Sequence, residues 1–336
     1  MQKKKMTGNG FLLLITIALF VVMYIAGMII FADKGFAKPQ MFLNLFVSNA
    51  GLLVIACGLT IVMITGGIDI SVGSVTALVC MVLADLMENK GVNTYVAVLV
   101  ALLIGVAFGI VQGFLVAYLD IQPFIVTLAG MFFGRGIAQL VTNGQITYIR
   151  VDSFKMAGGY IGKCPIPTPI FFAIITVLIV YLILKKTALG LYIESVGING
   201  KAARLVGLNS TMIKFLTYVI CGVLAGIAGI VASSRIYSAD ANNIGLNLEM
   251  DAILAVALGG NFLGGGKFSL IGSVIGAYTI QALTTTLYAM NVKADQLPVY
   301  KAIVVVIIVT LQSDVFKKYI AGLKAKKSVA AEGGQK

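Results

Sequence analysis

Histidine and tryptophan are absent from the 336 residues, and acidic side chains number only 13. Without histidine, zinc chemistry of the HExxH kind, serine–histidine catalysis and histidine proton relays are all excluded. Three of the four cysteines (Cys57, Cys80, Cys221) lie in or near apolar runs and Cys164 lies in a loop. Their spacing fits no metal site and points to no disulfide. Charged residues of either sign make up 11% of the chain, against about a quarter in soluble globular proteins.

Apolar sequence takes their place. Hydrophobic residues account for 59%, and the mean hydropathy is +1.01. Repeated apolar runs of about 20 residues describe an all-α, polytopic membrane protein. The net charge of +12 is not gathered on one face or tail, as nucleic-acid binding would need. The basic residues sit at the ends of apolar runs, where membrane proteins keep them. The opening "MQKKKMTGNGFLLLITIALFVVMYIAGMII" has an apolar part longer than a cleavable signal and no small-x-small cleavage site, so it reads as a retained first span.

Apolar runs set against polar breaks predict about ten spans, near 11–31, 42–64, 70–87, 94–118, 123–141, 168–184, 213–233, 250–263, 269–289 and 300–315. The short ones at 70–87, 250–263 and 300–315 are expected to be broken helices beside a cavity. The larger share of lysine and arginine falls on the side of the N-terminus, so both termini are expected in the cytoplasm. Residues 1–316 form one membrane domain in this reading, and 317–336 form a basic cytoplasmic tail. Loops 142–167 and 234–249 then lie outside, and 185–212 lies inside. So little extramembrane mass leaves no room for a soluble enzyme domain.

Five stretches are candidates for chemistry. In "MITGGIDISVGSV", Gly66-Gly67 and Asp69 interrupt an apolar run. A charge at bilayer depth costs several kcal/mol or more and must face protein or water. Two readings are open: a broken helix beside a polar path, or a tight turn with Asp69 or Ser71 capping the next helix. In "GFLVAYLDIQPFIVTLAGMFFGRGIAQLV", Arg135 lies within a span. It either hydrogen-bonds a polar solute or pairs with a carboxylate. The structural pair is favoured, because the surrounding glycines also serve close helix packing.

The inner loop "ESVGINGKAARLVGLN" predicts a short helix over 200–206, capped by Asn199 and ended by Gly207 in the left-handed conformation. Lys201 and Arg204 share a face of it. Docking into a groove on a cytoplasmic partner and lying on anionic lipid are both open. "LGGNFLGGGKFSLIGSVIGA" contains GGGK but is no phosphate loop, since Asn261 and Phe268 stand where glycine and Ser/Thr are needed. Its glycines are expected to let helices cross closely or re-enter the membrane. The outer segment with Asp240, Glu249 and Asp251 is either a docking surface or a solvated loop.

Taken in order, "ITGGIDISVGSV", "PFIVTLAGMFFGRG", "VGINGKAARLVGLN" and "ALGGNFLGGGKFSLIGSVIGA" resemble the permease subunits of bacterial ABC monosaccharide importers, the ribose-type group. The resemblance runs from about residue 40 to 315, and "TLAGMFF" is similar to the galactofuranose and fructose permeases within that group. It implies a permease that performs no covalent chemistry and moves a pentose or hexose. The implied partners are a cytoplasmic ABC ATPase, an extracytoplasmic sugar-binding protein, and a second copy or a paralogous permease. This chain would hold no cofactor or metal; ATP and Mg would belong to the ATPase.

The implied coupling segment is 194–209, with Glu194, Asn199, Ala203, Arg204 and Gly207. The implied translocation path takes in Thr65, Gly66, Gly67, Asp69 and Ser71, with Phe124, Thr127, Phe132 and Arg135 on the next motif. Lys267 departs from the small residues more usual at its position. An ion-coupled secondary transporter is the main alternative, with Asp69 its one strong carboxylate. A channel lacks repeated filter residues.

Overall fold

The apolar runs fold into helices whose ends are set by proline, asparagine and glycine. In a computed structural model that describes residues 8–312, apart from 163, 262 and 263, the chain forms twelve α-helices. The tail at 317–336 lies outside the described residues. Helix α1 spans Gly8–Ile30, α2 spans Pro39–Ile64 and α3 spans Val72–Ala84, continued by a π-helical turn at Asp85–Asn89. Next come α4 (Thr94–Ala117), α5 (Pro123–Val141), a short α6 (Asp152–Gly158), α7 (Thr168–Lys186) and α8 (Ala188–Leu205). The last four are α9 (Ser210–Ile236), α10 (Leu248–Leu258), α11 (Leu270–Ala289) and α12 (Leu297–Gln312). Pro39, Pro123 and Pro169 sit in first turns, where their missing N–H costs nothing.

Eight helical segments are long and apolar enough to cross a membrane. The remaining two expected spans are the shorter α10 and α12. The chain is an all-α polytopic membrane protein.

Helix α9 is the hub. Its 27 residues reach about 40 Å, more than the roughly 30 Å of hydrocarbon, and it packs against α2, α3 and α4. From Leu52 to Ile64, α2 is buried at every position, and α3 is buried along almost all of its length. Helix α1 and much of α4, α5 and α7 turn apolar faces outward, toward lipid or another membrane helix. Helices α4 and α9 touch backbone to backbone. A Cβ at Gly105 would collide with Gly222 O, and one at Gly222 with Gly105 O; only glycine permits this contact.

The two ends of the bundle differ. At one end, two short strands, β1 (Thr147–Tyr148) and β2 (Ser238–Ala239), pair antiparallel with Thr147 opposite Ala239. Glu88 there accepts hydrogen bonds from the N–H groups of Arg150 and Val151, and Lys34 reaches Ala289 O at 2.6 Å. At the other end, α8 lies across the bundle, and the residue 264–266 turn sits against the end of α2, with Gly266 N donating to Ile64 O at 2.9 Å. These ends are called the β side and the α8 side below.

Two interruptions enter from opposite sides. Helix α2 crosses fully and ends on the α8 side. The chain then climbs back in through residues 65–71 before α3 begins. Helix α9 also crosses fully and ends on the β side, and the chain dips back in through residues 240–247 before α10 begins. The two breaks meet inside the bundle, where a Cβ on Gly73 would strike both Gly245 O and the Glu249 carboxylate. With 11 residues, α10 extends only about 16 Å, roughly half a bilayer.

This refines two sequence expectations. Segment 234–249 is only partly solvated: Asn242, Asn243, Leu246 and Asn247 are exposed, whereas Glu249 is buried beside Gly73 and Asp251, just beyond the segment, accepts from Lys301 Nζ at 2.6 Å. Nor is 185–212 mainly loop, since helix resumes at Ala188. Of the two readings of the 258–277 glycines, close crossing fits the geometry, with Gly259 against Gly272 at the junction of α10 and α11.

Candidate functional site

The first predicted cluster, Thr65 to Ser71, is satisfied by protein. Thr65 donates to Val62 O at 2.8 Å, prolonging the last turn of α2. Gly66 follows at φ +77°, a conformation that glycine adopts without strain. Gly67 packs on the Tyr218 hydroxyl, which donates to Ile68 O at 3.2 Å. Asp69 is 2% exposed, and its Oδ1 accepts from Ser71 N at 2.9 Å and Ser71 Oγ at 2.6 Å. Gln112 of α4 completes the group, donating to Ser71 Oγ at 2.8 Å. Asp69 thus closes the turn that starts α3, and α4 and α9 shield it from lipid. Gln112 was not singled out in the sequence, because its partner lies 41 residues away.

The α5 residues divide by face. Thr127 is fully buried and bonds Pro123 O, whereas Phe124 and Phe132 point outward. Arg135 does not form the expected ion pair. Its Nη1 donates to Ala241 O at 2.8 Å and Ile244 O at 2.7 Å. The physical reason lies in the re-entrant segment: turning back inside the bundle strips carbonyls of their helical partners, and a guanidinium can supply several donors at once. Gln139, one turn on, bonds Asn242 in the same segment. Helix α5 therefore clamps the approach to α10.

The third cluster is local and compact. Helix α8 kinks at Asn199, which leaves helical geometry at φ −159°. Asn199 Oδ1 accepts from Lys201 N at 3.1 Å and Ala202 N at 3.0 Å, capping a second short helix. That helix closes with Gly207 at φ +87°, Gly207 N donating to Arg204 O and Leu208 N to Ala203 O. This is the paired bond pattern that a left-handed glycine completes. Ala203 is buried, Glu194 half-buried, and Arg204 exposed with Nη2 3.5 Å from Thr211 Oγ1. Leu205 and Val206 stand 89% and 78% exposed at its tip, too bare an apolar pair to be explained by packing within the chain. On the opposite face Gly197 presses on Ile64 O and Gly266 N. One segment thus touches solvent, the end of α2 and the 264–266 turn.

Sequence reasoning also passed over Ser48, Arg235 and Gln281, which three separate helices bring to adjoining cavities on the β side. An arginine at a helix end reads as an ordinary interfacial residue, so only the fold reveals the grouping.

Comparison with known proteins places these features. Residues 41–311 match the family described as branched-chain amino acid transport system / permease component. The galactofuranose transporter permease protein YtfT of Escherichia coli (strain K12) is 40% identical over 291 residues, covering 87% of this chain and 84% of that one. The fructose import permease protein FruF of Bifidobacterium longum is 38% identical, covering 89% and 84%. The ribose import permease protein RbsC of Escherichia coli (strain K12) is 35% identical, covering 86% and 92%. No solved structure matches the chain at a significant level. With its helical bundle, broken spans and kinked α8, the chain belongs to the branched-chain amino acid transport system / permease component family.

Proposed function

We propose that this chain is the multi-pass inner-membrane permease subunit of an ABC importer for a monosaccharide, a pentose or hexose such as a furanose sugar. The observation that carries the reading is the near full-length similarity to permeases whose names specify galactofuranose, fructose and ribose import. The α8 side faces the cytoplasm. There Leu205, Val206 and Arg204 enter a groove on an ABC ATPase, which holds ATP and Mg, while Asn199, Ala203 and Gly207 keep that tip folded and Glu194 sits on the preceding turn. A sugar-binding protein delivers substrate on the β side, and a second copy or a paralogous permease completes the path. Residues 65–71 and the outward face of α5, with Phe124 and Phe132, lie beside that path.

Nucleotide-driven movement of α8 reaches the core through Gly197, because the end of α2 and the 264–266 turn both rest on it. The secondary-transporter alternative loses its main support, since the Asp69 carboxylate is occupied within its own turn.

The test is affinity purification of the tagged chain from its own cells in mild detergent, followed by mass spectrometry. A stoichiometric ATPase is expected. In the same preparation Leu205→Asp should lower ATPase retention by about tenfold or more, as loss of an interface anchor does. Arg204→Ala and Gly207→Val should uncouple sugar uptake at normal expression. Purification of the chain alone from several detergents, together with normal uptake by all three variants, would refute the coupling assignment.

A further inference from the structure

Two cavities of about 460 and 530 Å³ adjoin on the β side, among α2, α9 and α11. Each is large enough for a small organic ligand, for which roughly 300–1,000 Å³ is usual. Ser48, Arg235 and Gln281 line both. A third cavity of about 660 Å³ shares Asn243 and Asp251 with the first and Thr284 with the second, and runs on toward α12. None of residues 65–71 and no residue of α5 lines any of them.

The chemistry of the three shared side chains is specific. Among the described residues, the side chains of Ser48, Arg235 and Gln281 make no hydrogen bond or ion pair. Ser48 and Arg235 are exposed to this space and Gln281 is half-buried; polar and ionisable groups of a membrane protein favour such wet cavities over lipid. Together they offer the five N–H donors of a guanidinium, an amide that donates and accepts, and a hydroxyl that does both. A polyhydroxy compound presents the same mixture of donors and acceptors at short spacing.

Charge narrows the class further. The carboxylate of Asp240 lines the first cavity with Arg235, and Asp251 is already neutralised by Lys301. Lys34 at the rim of the second is held by Ala289 O. Lys34 keeps its charge, but it lies away from the three shared side chains; where these meet, Arg235 is set against the Asp240 carboxylate, which suits an uncharged ligand better than a phosphate ester. The rings of Tyr148 and Tyr288 border the cavities, and apolar sugar faces can rest on such rings.

We propose that this cavity pair is a monosaccharide site contained within one protomer, where Arg235, Gln281 and Ser48 bind the hydroxyls of an incoming sugar. The proposal rests on the reading of the chain as a monosaccharide permease.

The experiment uses the full-length chain with its partners in cells, carrying Cys164→Ser and either Ser48→Cys or Gln281→Cys. A membrane-impermeant methanethiosulfonate is applied with and without high millimolar D-ribose, D-fructose, D-galactose or D-ribose 5-phosphate, and chain-dependent uptake of the three neutral sugars is followed in parallel. Both cysteines should react, and the transported sugar should slow both, while Gln145→Cys on the nearby exposed loop is unaffected. Arg235→Gln should lower uptake roughly tenfold at unchanged membrane abundance, the effect of losing a charged hydrogen bond to ligand. If a sugar is taken up but protects neither cysteine, and Arg235→Gln transports at the parental rate, the site is wrong and the permease reading stands. Unreactive cysteines at both positions would overturn it equally. Stronger protection by the phosphate ester would overturn the neutral ligand class. No chain-dependent uptake of any sugar, with no protection, would remove the underlying reading as well.

Discussion

Asp69 shows how a carboxylate survives inside an apolar bundle: one of its oxygens takes both the N–H and the hydroxyl of Ser71. What the turn needs is an acceptor at that position, and a formal charge is not required. Asp69→Asn should therefore leave the thermal unfolding midpoint in detergent nearly unchanged. Asp69→Leu orphans two buried donors and should destabilise by about 2 kcal/mol or more. Equal losses from both variants would show that the charge itself is needed. The residue-scale features legible in the sequence were those whose partners lie within a few positions. The Asn199 cap and the Gly207 stop are of this kind, because side chain and backbone are covalently close. The partners of Arg135 lie 106 and 109 residues away. No local pattern distinguishes a carbonyl of a re-entrant turn from a carboxylate, so the expected ion pair was the wrong partner for a correctly identified residue.

At the scale of elements, the spans from apolar run length agree closely with the helices where a run is long, as in α2, α4, α5 and α11. The differences gather at the breaks. Helix α3 starts later than hydropathy suggests, because Ile70 is apolar but lies in the non-helical approach to Val72. Helix α10 is shorter than its apolar run, because the chain leaves the helix after Leu258 to approach the end of α2. Hydropathy reports burial, and Ile70 is buried without being helical. The α4–α9 crossing yields a sharper expectation. Gly222→Val places a branched side chain against Gly105 O, and overpacking of this kind costs about 1–3 kcal/mol. It should reduce the monodisperse fraction on size-exclusion chromatography. Gly136→Ala, where added bulk meets open space, should not. Equal behaviour of the two would mean that α4 and α9 are not held at backbone contact.

For the molecule as a whole, the arrangement of interest is the chain of contact from α8 to both breaks. Gly197 rests on Ile64 O, which also receives Gly266 N, and those two segments lead directly to residues 65–71 and to α11. Gly197→Val should leave ATPase binding through the exposed tip largely intact while lowering sugar uptake by about tenfold, as a displacement of roughly 1 Å at a remote contact can. Loss of ATPase retention in this variant would place Gly197 in the docking surface instead. The half-length α10 has a further consequence, which concerns how the protein is made. An 11-residue segment is too short for the insertion machinery to recognise as a crossing, and its re-entrant approach carries backbone groups that lipid cannot satisfy. Segment 240–258 can take its place only after Arg135 on α5 and the faces of α9 and α11 are there to receive it. Biogenesis therefore has a late step, in which an already inserted scaffold draws the inner segment into position. A nascent chain released before α11 is complete should be integrated yet remain protease-sensitive at 240–247.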